Sequence, residues 1–467
     1  MRTPAVSYCI LALSFCLALS ACGGSSSSLP GPGSTSSNGP SRHKSGTPIQ
    51  HIVLLIQENR TFNNIFAQFP GATGTTTGLE RVKKGGKWKQ KTIPLALVPL
   101  EDNKNLNHLY VSYLTAYDGG KMDAFNQIIF QVTGKPEKAL PYQYVKQSDV
   151  QPYWDMATQY GLANAMFSTQ GSGSFTAHQD LIRGGTSIGG DVSLIDDPTA
   201  NAAWGCDSPV GTKTSLITTS LKYEKAVGPF PCTDHFPYSS YSYTTLADLF
   251  DGAGITWKYY VPAFKRNTSS ALWNAFDVIA SVRNGSEWGT NVNWPETNIF
   301  SDLTSGKLPQ MSWVIPDSYN SDHPGYSSDT GPSWVTSVVN AVGQSSYWNS
   351  TAIIIVWDDW GGFYDPVAPP GQDNQGGPGF RVPMIVISPY VPANEISQTA
   401  YGFGSIIKYI EDTFKLNCIG TTDCSSASIA NMFNYNQSKR KFKAFNSKYS
   451  RSYFLHQTPS GMPVDTE

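Results

Sequence analysis

The sequence predicts an α/β fold with a largely parallel central sheet, on three observations. Runs at 52–56, 255–261, 311–315, 352–357 and 384–387 are continuously apolar rather than alternating, the pattern of strands covered on both faces. Helical patterns lie between them, at 245–253, 333–343 and 404–414. Strand and helix therefore take turns along the chain, the order that builds a parallel sheet.

The elements before the first strand carry an address rather than a fold. Arg2 precedes an apolar stretch from Ala5 to Leu19, too short and too early for an ordinary membrane span, which closes in Leu19-Ser20-Ala21-Cys22. That tetrapeptide has the form of a lipobox, where cleavage precedes a cysteine whose thiol takes a diacylglycerol; the plainer reading is a secretory signal with a chance cysteine. Residues 1–21 are read as a lipoprotein signal peptide. Gly23-Gly24, with no Asp after the cysteine, favours the outer membrane of a Gram-negative cell. Residues 22–47, rich in Ser, Gly and Pro, cannot bury enough surface to fold and form a tether. The expected protein is exported and lipid-anchored through Cys22, at the outer membrane or on the periplasmic or cell surface of a bacterium.

Residues 48–434 supply one large catalytic domain, and 435–467 a polar, partly basic tail that either wraps the surface or is disordered. The stretch 186–243 is expected as loops or a cap over the sheet. A net charge of −2 offers no basic field for nucleic acid. Four cysteines remain outside the signal, and Cys206–Cys232 and Cys418–Cys424 are expected disulfides. A four-cysteine zinc site is the alternative, weakened by the lack of a Cys-x-x-Cys pair.

Ligands of such folds gather at the carboxyl ends of strands. The run 52–56 exits into Glu58-Asn59, and 352–357 exits into Asp358-Asp359. Three carboxylates sharing a small site raise one another's pKa unless something positive is present. A divalent cation answers this, and oxygen donors suit the magnesium, calcium or manganese class. The competing reading makes Glu58 a cap for a helix beginning near Thr61 and the aspartates solvated loop residues. A third segment, GSGSFTAHQDLIRGG (171–185), places Ser174 where a helix starts near Phe175, with His178 four residues on. As N-cap, Ser174 would sit in the positive field of the helix end.

These motifs resemble the bacterial phosphoesterase family that holds acid phosphatases and non-toxin-type phospholipases C. Its QENRSFD is similar to QENRTFN at 57–63. Its GKMDGF, with an upstream histidine, is similar to GKMDAF at 120–125 after His108. Its GPSFPNH loosely resembles GSFTAH at 173–178. SDHP stands at 321–324, and DDxGGFYDHVxPP resembles 358–370. The resemblance implies an alkaline-phosphatase-like three-layer fold. Glu58, Asn59, Asp358 and Asp359 would bind one divalent metal ion, and Ser174 would become a phosphoserine. His108, His178 and His323 would contact phosphate or protonate the leaving oxygen. Asp123 would orient a histidine or merely end a turn. The chain departs from the family at Pro366, where a histidine is expected, at Ala177, and at Thr61 and Asn63.

The expected function is metal-dependent hydrolysis of a phosphate ester, small or lipid-borne, and an acid-phosphatase-like phosphomonoesterase is favoured because the chain ends soon after the last motif. The alternatives are a phospholipase C acting on choline lipids and a surface binding protein that kept the fold without turnover. The anchor is tested by Cys22→Ala, which should move the protein from membrane to soluble fractions; unchanged detergent partitioning would remove the lipobox reading.

Overall fold

The computed structural model describes residues 47–101, 104–130, 133–199, 204–236, 243–264 and 273–463; the expected signal peptide, Cys22 and the tether up to residue 46 lie outside them. Eight strands form the central sheet: β1 His51–Gln57, β2 Gly161–Ala163, β3 Trp257–Tyr260, β4 Val292–Asn293, β5 Met311–Val314, β6 Thr351–Trp357, β7 Met384–Ile387 and β8 Glu395–Ser397. Their spatial order is β4-β3-β5-β1-β6-β7-β2-β8. Neighbours are parallel except at β7, which is antiparallel to β6 and β2. All five apolar runs are in this sheet. The strands that the sequence pattern does not reveal, β2, β4 and β8, are two or three residues long, too short to show a period.

Seven helices matter below: α1 Tyr110–Tyr117, α2 Gln151–Gln159, α3 Ser174–Arg183, α4 Leu246–Ala253, α5 Asn298–Thr304, α6 Gly331–Gly343 and α7 Phe403–Phe414. They cover both faces. Paired residues of parallel strands point the same way, so Trp313, level with Leu54, and Trp357, level with Gln57, lie on opposite faces. The Trp313 indole donates to Leu181 O of α3 at 3.0 Å and packs on Phe250 of α4, which meets Phe414 of α7. Trp357 packs edge-on against Tyr153 of α2, and α2 packs on α6. The result is helix, sheet, helix. Thr245 starts α4 through a reciprocal capping box with Asp248.

Between α3 and α4 the chain forms a second, antiparallel sheet, in the order Tyr223–Glu224, Ser215–Thr218, Val192–Ile195, Ser187–Gly189. Both expected disulfides are formed. The tail wraps the surface: Phe445 and Phe454 are buried, Asn340 Nδ2 donates to Phe445 O, and the Trp348 indole donates to Arg440 O. A hairpin, Thr77–Lys84 with Lys87–Pro94, turns on Gly85 and Gly86, whose φ values of 59° and 75° suit a two-residue turn of the type that matches strand twist. A glycine pair between alternating runs is a signal the sequence does carry for it.

The loop after β6 is fastened by a fully buried ion pair. Arg381 Nε and Nη2 donate to the two carboxylate oxygens of Asp365 at 2.8 and 3.0 Å, while its other donors reach Asn164 O and Thr73 O. Asp365 also accepts from Asn63 N, tying this loop to the exit of β1. Arg381→Met should leave an uncompensated carboxylate and cost about 3–5 kcal/mol of stability in urea denaturation. A loss below about 1 kcal/mol would remove the pair from any structural account.

Candidate active site

β1 and β6 are in register along their whole length, from His51 against Thr351 to Gln57 against Trp357, so they end level. The next two residues of each, Glu58-Asn59 and Asp358-Asp359, therefore arrive side by side. Asp358 N donates to Gln57 O at 2.9 Å, and Asn59 N donates to Asp358 Oδ1 at 2.9 Å. Asn59 has φ 58°, a left-handed conformation that asparagine tolerates better than most residues. Gly361, at φ 56°, lets the two turns approach: a Cβ there would lie 2.0 Å from Asn59 O. The double glycine after the paired aspartates is thus a close-packing requirement.

Ser174 is the first residue of α3, and Gly173 is the N-cap. This corrects the expectation that Ser174 caps the helix. Phe175 N instead donates to Asp197 Oδ1 at 3.2 Å, which leaves the serine hydroxyl for the site. Ser174 Oγ lies 3.2 Å from Asp359 Oδ2, 3.4 Å from Asn59 Oδ1 and 3.5 Å from Glu58 Oε2. His178, one turn along on the same helix face, places Nε2 2.9 Å from Glu58 Oε1. Thr176 is committed elsewhere: its hydroxyl bonds Ser172 Oγ at 2.7 Å and Gly173 O at 3.2 Å.

His108 Nδ1 lies 2.7 Å from Leu106 O. A carbonyl only accepts, so Nδ1 carries the proton, and Nε2 accepts from Asn59 Nδ2 at 3.2 Å, with Asp359 Oδ2 at 3.7 Å. His323 is set apart from this group. Its ring packs on Tyr326 and on Trp273, and Trp273 stacks on His178. Glu58, Asn59, Asp358, Asp359, Ser174, His178 and His108 are brought together; His323 stands one indole away. Asp123 lies against Asp118, Arg81 and Gln90, and among the described residues no histidine is bonded to it.

Glu58, Asp358 and Asp359 are fully buried. Burial, reinforced by repulsion from Asp358, holds the Glu58 and Asp359 carboxyls well above the usual carboxylate range. Burial also pushes His178 down to about 4, against the pull of Asp358. Arg60, the nearest cation in sequence, is turned away: its guanidinium donates to Asp322 O, Asn64 Oδ1 and Leu100 O. Within the cluster, Asp358 Oδ2 and His178 Nδ1 have no hydrogen-bond partner among the described residues. Donor atoms of Glu58, His178 and Asp358 all lie within 4.8 Å of one another. This donor set fits a divalent cation, and it places His178, expected to contact phosphate, among the groups that could hold the metal.

Three participants escape the sequence. Asp197 and Trp273 lie in stretches with no periodic pattern. Asp322, beside His323 in the SDHP motif, was within reach: its Oδ2 accepts from Tyr153 OH at 2.7 Å and Gln57 Nε2 at 3.2 Å, and burial lifts it to about 6.

The profile of the Phosphoesterase family matches residues 49–417. A protein named non-hemolytic phospholipase C from Pseudomonas aeruginosa is 24% identical over 420 residues, covering 80% of this chain but 55% of that one, so the chain spans about half the relative's length. A protein named phospholipase C A from Mycobacterium tuberculosis is 25% identical over 421 residues, covering 79% of this chain and 73% of that one. A solved structure described as a protein in the alkaline phosphatase superfamily from Vibrio parahaemolyticus covers 79% of this chain and 67% of its own at 10% identity; its TM-score of 0.34 carries no argument.

The raised carboxyls set the sign of a pH effect. Folded Glu58 and Asp359 hold protons that the unfolded chain releases, so without a cation stability falls as pH rises above the usual carboxylate range. In chelator, the melting midpoint should fall as pH rises above the usual carboxylate range, and less steeply in Glu58→Gln than in the unsubstituted chain; magnesium, calcium or manganese should restore it. Glu58→Gln and Asp358→Asn should each lower bound metal. A flat profile in chelator that no cation shifts would remove the metal from the site.

Proposed function

Because the chain belongs to the Phosphoesterase family, we propose that it hydrolyses phosphate esters with Ser174 as nucleophile and a divalent cation held by Glu58, Asn59, Asp358 and Asp359. The observation that carries this is Ser174 Oγ, at the amino end of a ten-residue helix and within 3.5 Å of oxygens from Glu58, Asn59 and Asp359. A bound cation would favour ionisation of the serine hydroxyl and neutralise charge on the phosphoryl oxygens. Ser174 Oγ forms the new bond to phosphorus as the bond to the leaving oxygen breaks. The hydroxyl proton leaves on the side of Asp359 Oδ2, which lies 3.2 Å from Ser174 Oγ. The leaving oxygen takes a proton, for which His108 is assigned, its Nε2 facing Asn59 and Asp359 and carrying a proton in that role; His323, one indole away, is the alternative donor. Water then attacks the phosphoserine, releasing phosphate and restoring Ser174. His178, bonded to Glu58, holds the ligand cluster in place or joins it.

We favour a phosphodiester, lipid-borne substrate over the phosphomonoester that the sequence favoured, a reading supported by the relatives named phospholipase C. p-Nitrophenyl phosphate, its phosphorylcholine ester and bis-p-nitrophenyl phosphate, each with and without chelator, separate the two. Export and a lipid on Cys22 belong to the same proposal, since lipid anchoring would keep the enzyme at a membrane surface.

Ser174→Ala should abolish turnover while leaving metal content and melting behaviour nearly intact, and Thr176→Ala should keep most activity. Acid trapping with labelled substrate followed by peptide mass analysis should find phosphate on Ser174. Near-normal turnover by Ser174→Ala would point to direct attack by water. A wild-type chain inert toward all three substrates with metal bound would favour the binding-protein reading.

A further inference from the structure

The hairpin Thr77–Lys84/Lys87–Pro94 stands out from the rest of the chain in charge. Between residues 80 and 91 it carries Arg81, Lys83, Lys84, Lys87, Lys89 and Lys91 against Glu80 alone, on a chain whose net charge is −2. Two of the six cations are matched: Arg81 meets Asp118 at 3.1 Å and Lys91 meets Glu80 at 2.8 Å. Lys84, Lys87 and Lys89 are exposed and meet no acid among the described residues. Lys84 and Lys87 face each other directly across the ladder, an arrangement that costs stability. Level with Lys83 at the tip is Trp88, 48% exposed, with the Arg81 guanidinium 4.7 Å and the Lys83 ammonium 5.9 Å from its ring.

A solvated strand edge needs some lysines to discourage pairing with another chain. The indole holds Arg81 and Lys83 over its ring, yet nearly half of its surface stays in water. Trp88 shares one face of the ribbon with Lys83, while Lys84, Lys87 and Lys89 project from the other. A tip with an exposed indole and lysines on both faces, meeting a surface end-on, is what the boundary of an anionic bilayer rewards: each cation near the surface is attracted by lipid headgroups, and an indole rests at the headgroup level with its ring in the acyl boundary. The root of the hairpin is also placed to matter. A Cβ on Gly78 would meet Tyr142 and Tyr364, and Tyr364 follows Asp358-Asp359 by five residues. Asp118, which takes Arg81, ends the helix that begins just after His108. The hairpin thus rests against the two segments that bring His108 and Asp359 to the site.

We propose that the tip of this hairpin, with Trp88 and Lys83 on one face and Lys84, Lys87 and Lys89 on the other, is an end-on docking surface for an anionic phospholipid bilayer, independent of which ester the enzyme cleaves. The test uses the full chain and its partition to sedimented vesicles of phosphatidylcholine alone and of phosphatidylcholine with about one-third phosphatidylglycerol. A lipid or apolar segment at the amino end binds both; the ratio between them is the hairpin's signature. At low salt the ratio should be about tenfold or more and should collapse toward one in 0.5 M salt, as screening demands. Reversing Lys83, Lys84, Lys87 and Lys89 to Glu should abolish the ratio, and Trp88→Ala should lower it several-fold, both with an unchanged melting midpoint and unchanged hydrolysis of a soluble p-nitrophenyl ester. A ratio of one in the wild-type chain would overturn the proposal. So would vesicle binding indifferent to Trp88 together with equal, lysine-dependent retention on heparin or nucleic acid, which would make the tip a general polyanion binder.

Discussion

Everything at the site depends on two adjacent parallel strands that stop at the same level. The pairing of His51–Gln57 with Thr351–Trp357 runs without a shift, and the next backbone bond, Asp358 N to Gln57 O, continues it beyond the last paired residues. A slip of one residue would turn every side chain to the other face and send Glu58 and Asp358 to different sides of the sheet. The strands are apolar and buried on both sides, so hydrophobic packing fixes the register, and the register places the carboxylates. Packing energy is thereby converted into electrostatic tension: three acids are held where water cannot screen them, and the tension is relieved by protons or by a cation.

The neighbouring polar groups act mainly on geometry. Arg60 spans from Asp322 O to Leu100 O, and Arg381 grips Asp365. Both guanidiniums are buried beside an acidic site without neutralising it, because their donors are spent on carbonyls and on an aspartate outside the cluster. The Trp360 indole, immediately after the paired aspartates, donates to His108 O and fixes the far wall. Arg60, Trp360 and Asp365 lie in the same short motifs as the ligands, which is why such a motif carries one or two chemical groups and several struts; Arg381 reaches the loop from outside them.

Much of this was legible from residues alone. Continuous apolar runs revealed β1, β3, β5, β6 and β7, and the acids at the exits of β1 and β6 named the cluster. A threonine inside a first helical turn readily bonds backbone, and Thr176 does so at Gly173 O, unlike Ser174. Three things were not legible. Short edge strands have no period. The N-cap shift from Ser174 to Gly173 depends on Asp197, which reaches the helix from another loop. The distance of His323 from the cluster depends on Trp273, an apolar residue in a patternless stretch. The net charge was a poor guide to local fields: it concealed a hairpin with six cations and one anion in twelve residues.

The strand at the centre of the sheet is also the first one made. Its partners, Met311–Val314 and Thr351–Trp357, are encoded some 250 to 300 residues later, and the bond from Asn59 N to Asp358 joins residues 299 apart. Loop-closure entropy is therefore spent late, and until then the most apolar segment of the domain has both edges open. A ribosome or a translocation pore releases β1 long before anything can cover it, so the nascent chain spends most of its synthesis in need of a holding partner. No proteolytic or genetic fragment short of residues 58 to 359 can assemble the cluster. The price of uniting a site from the two ends of a chain is paid in time rather than in stability.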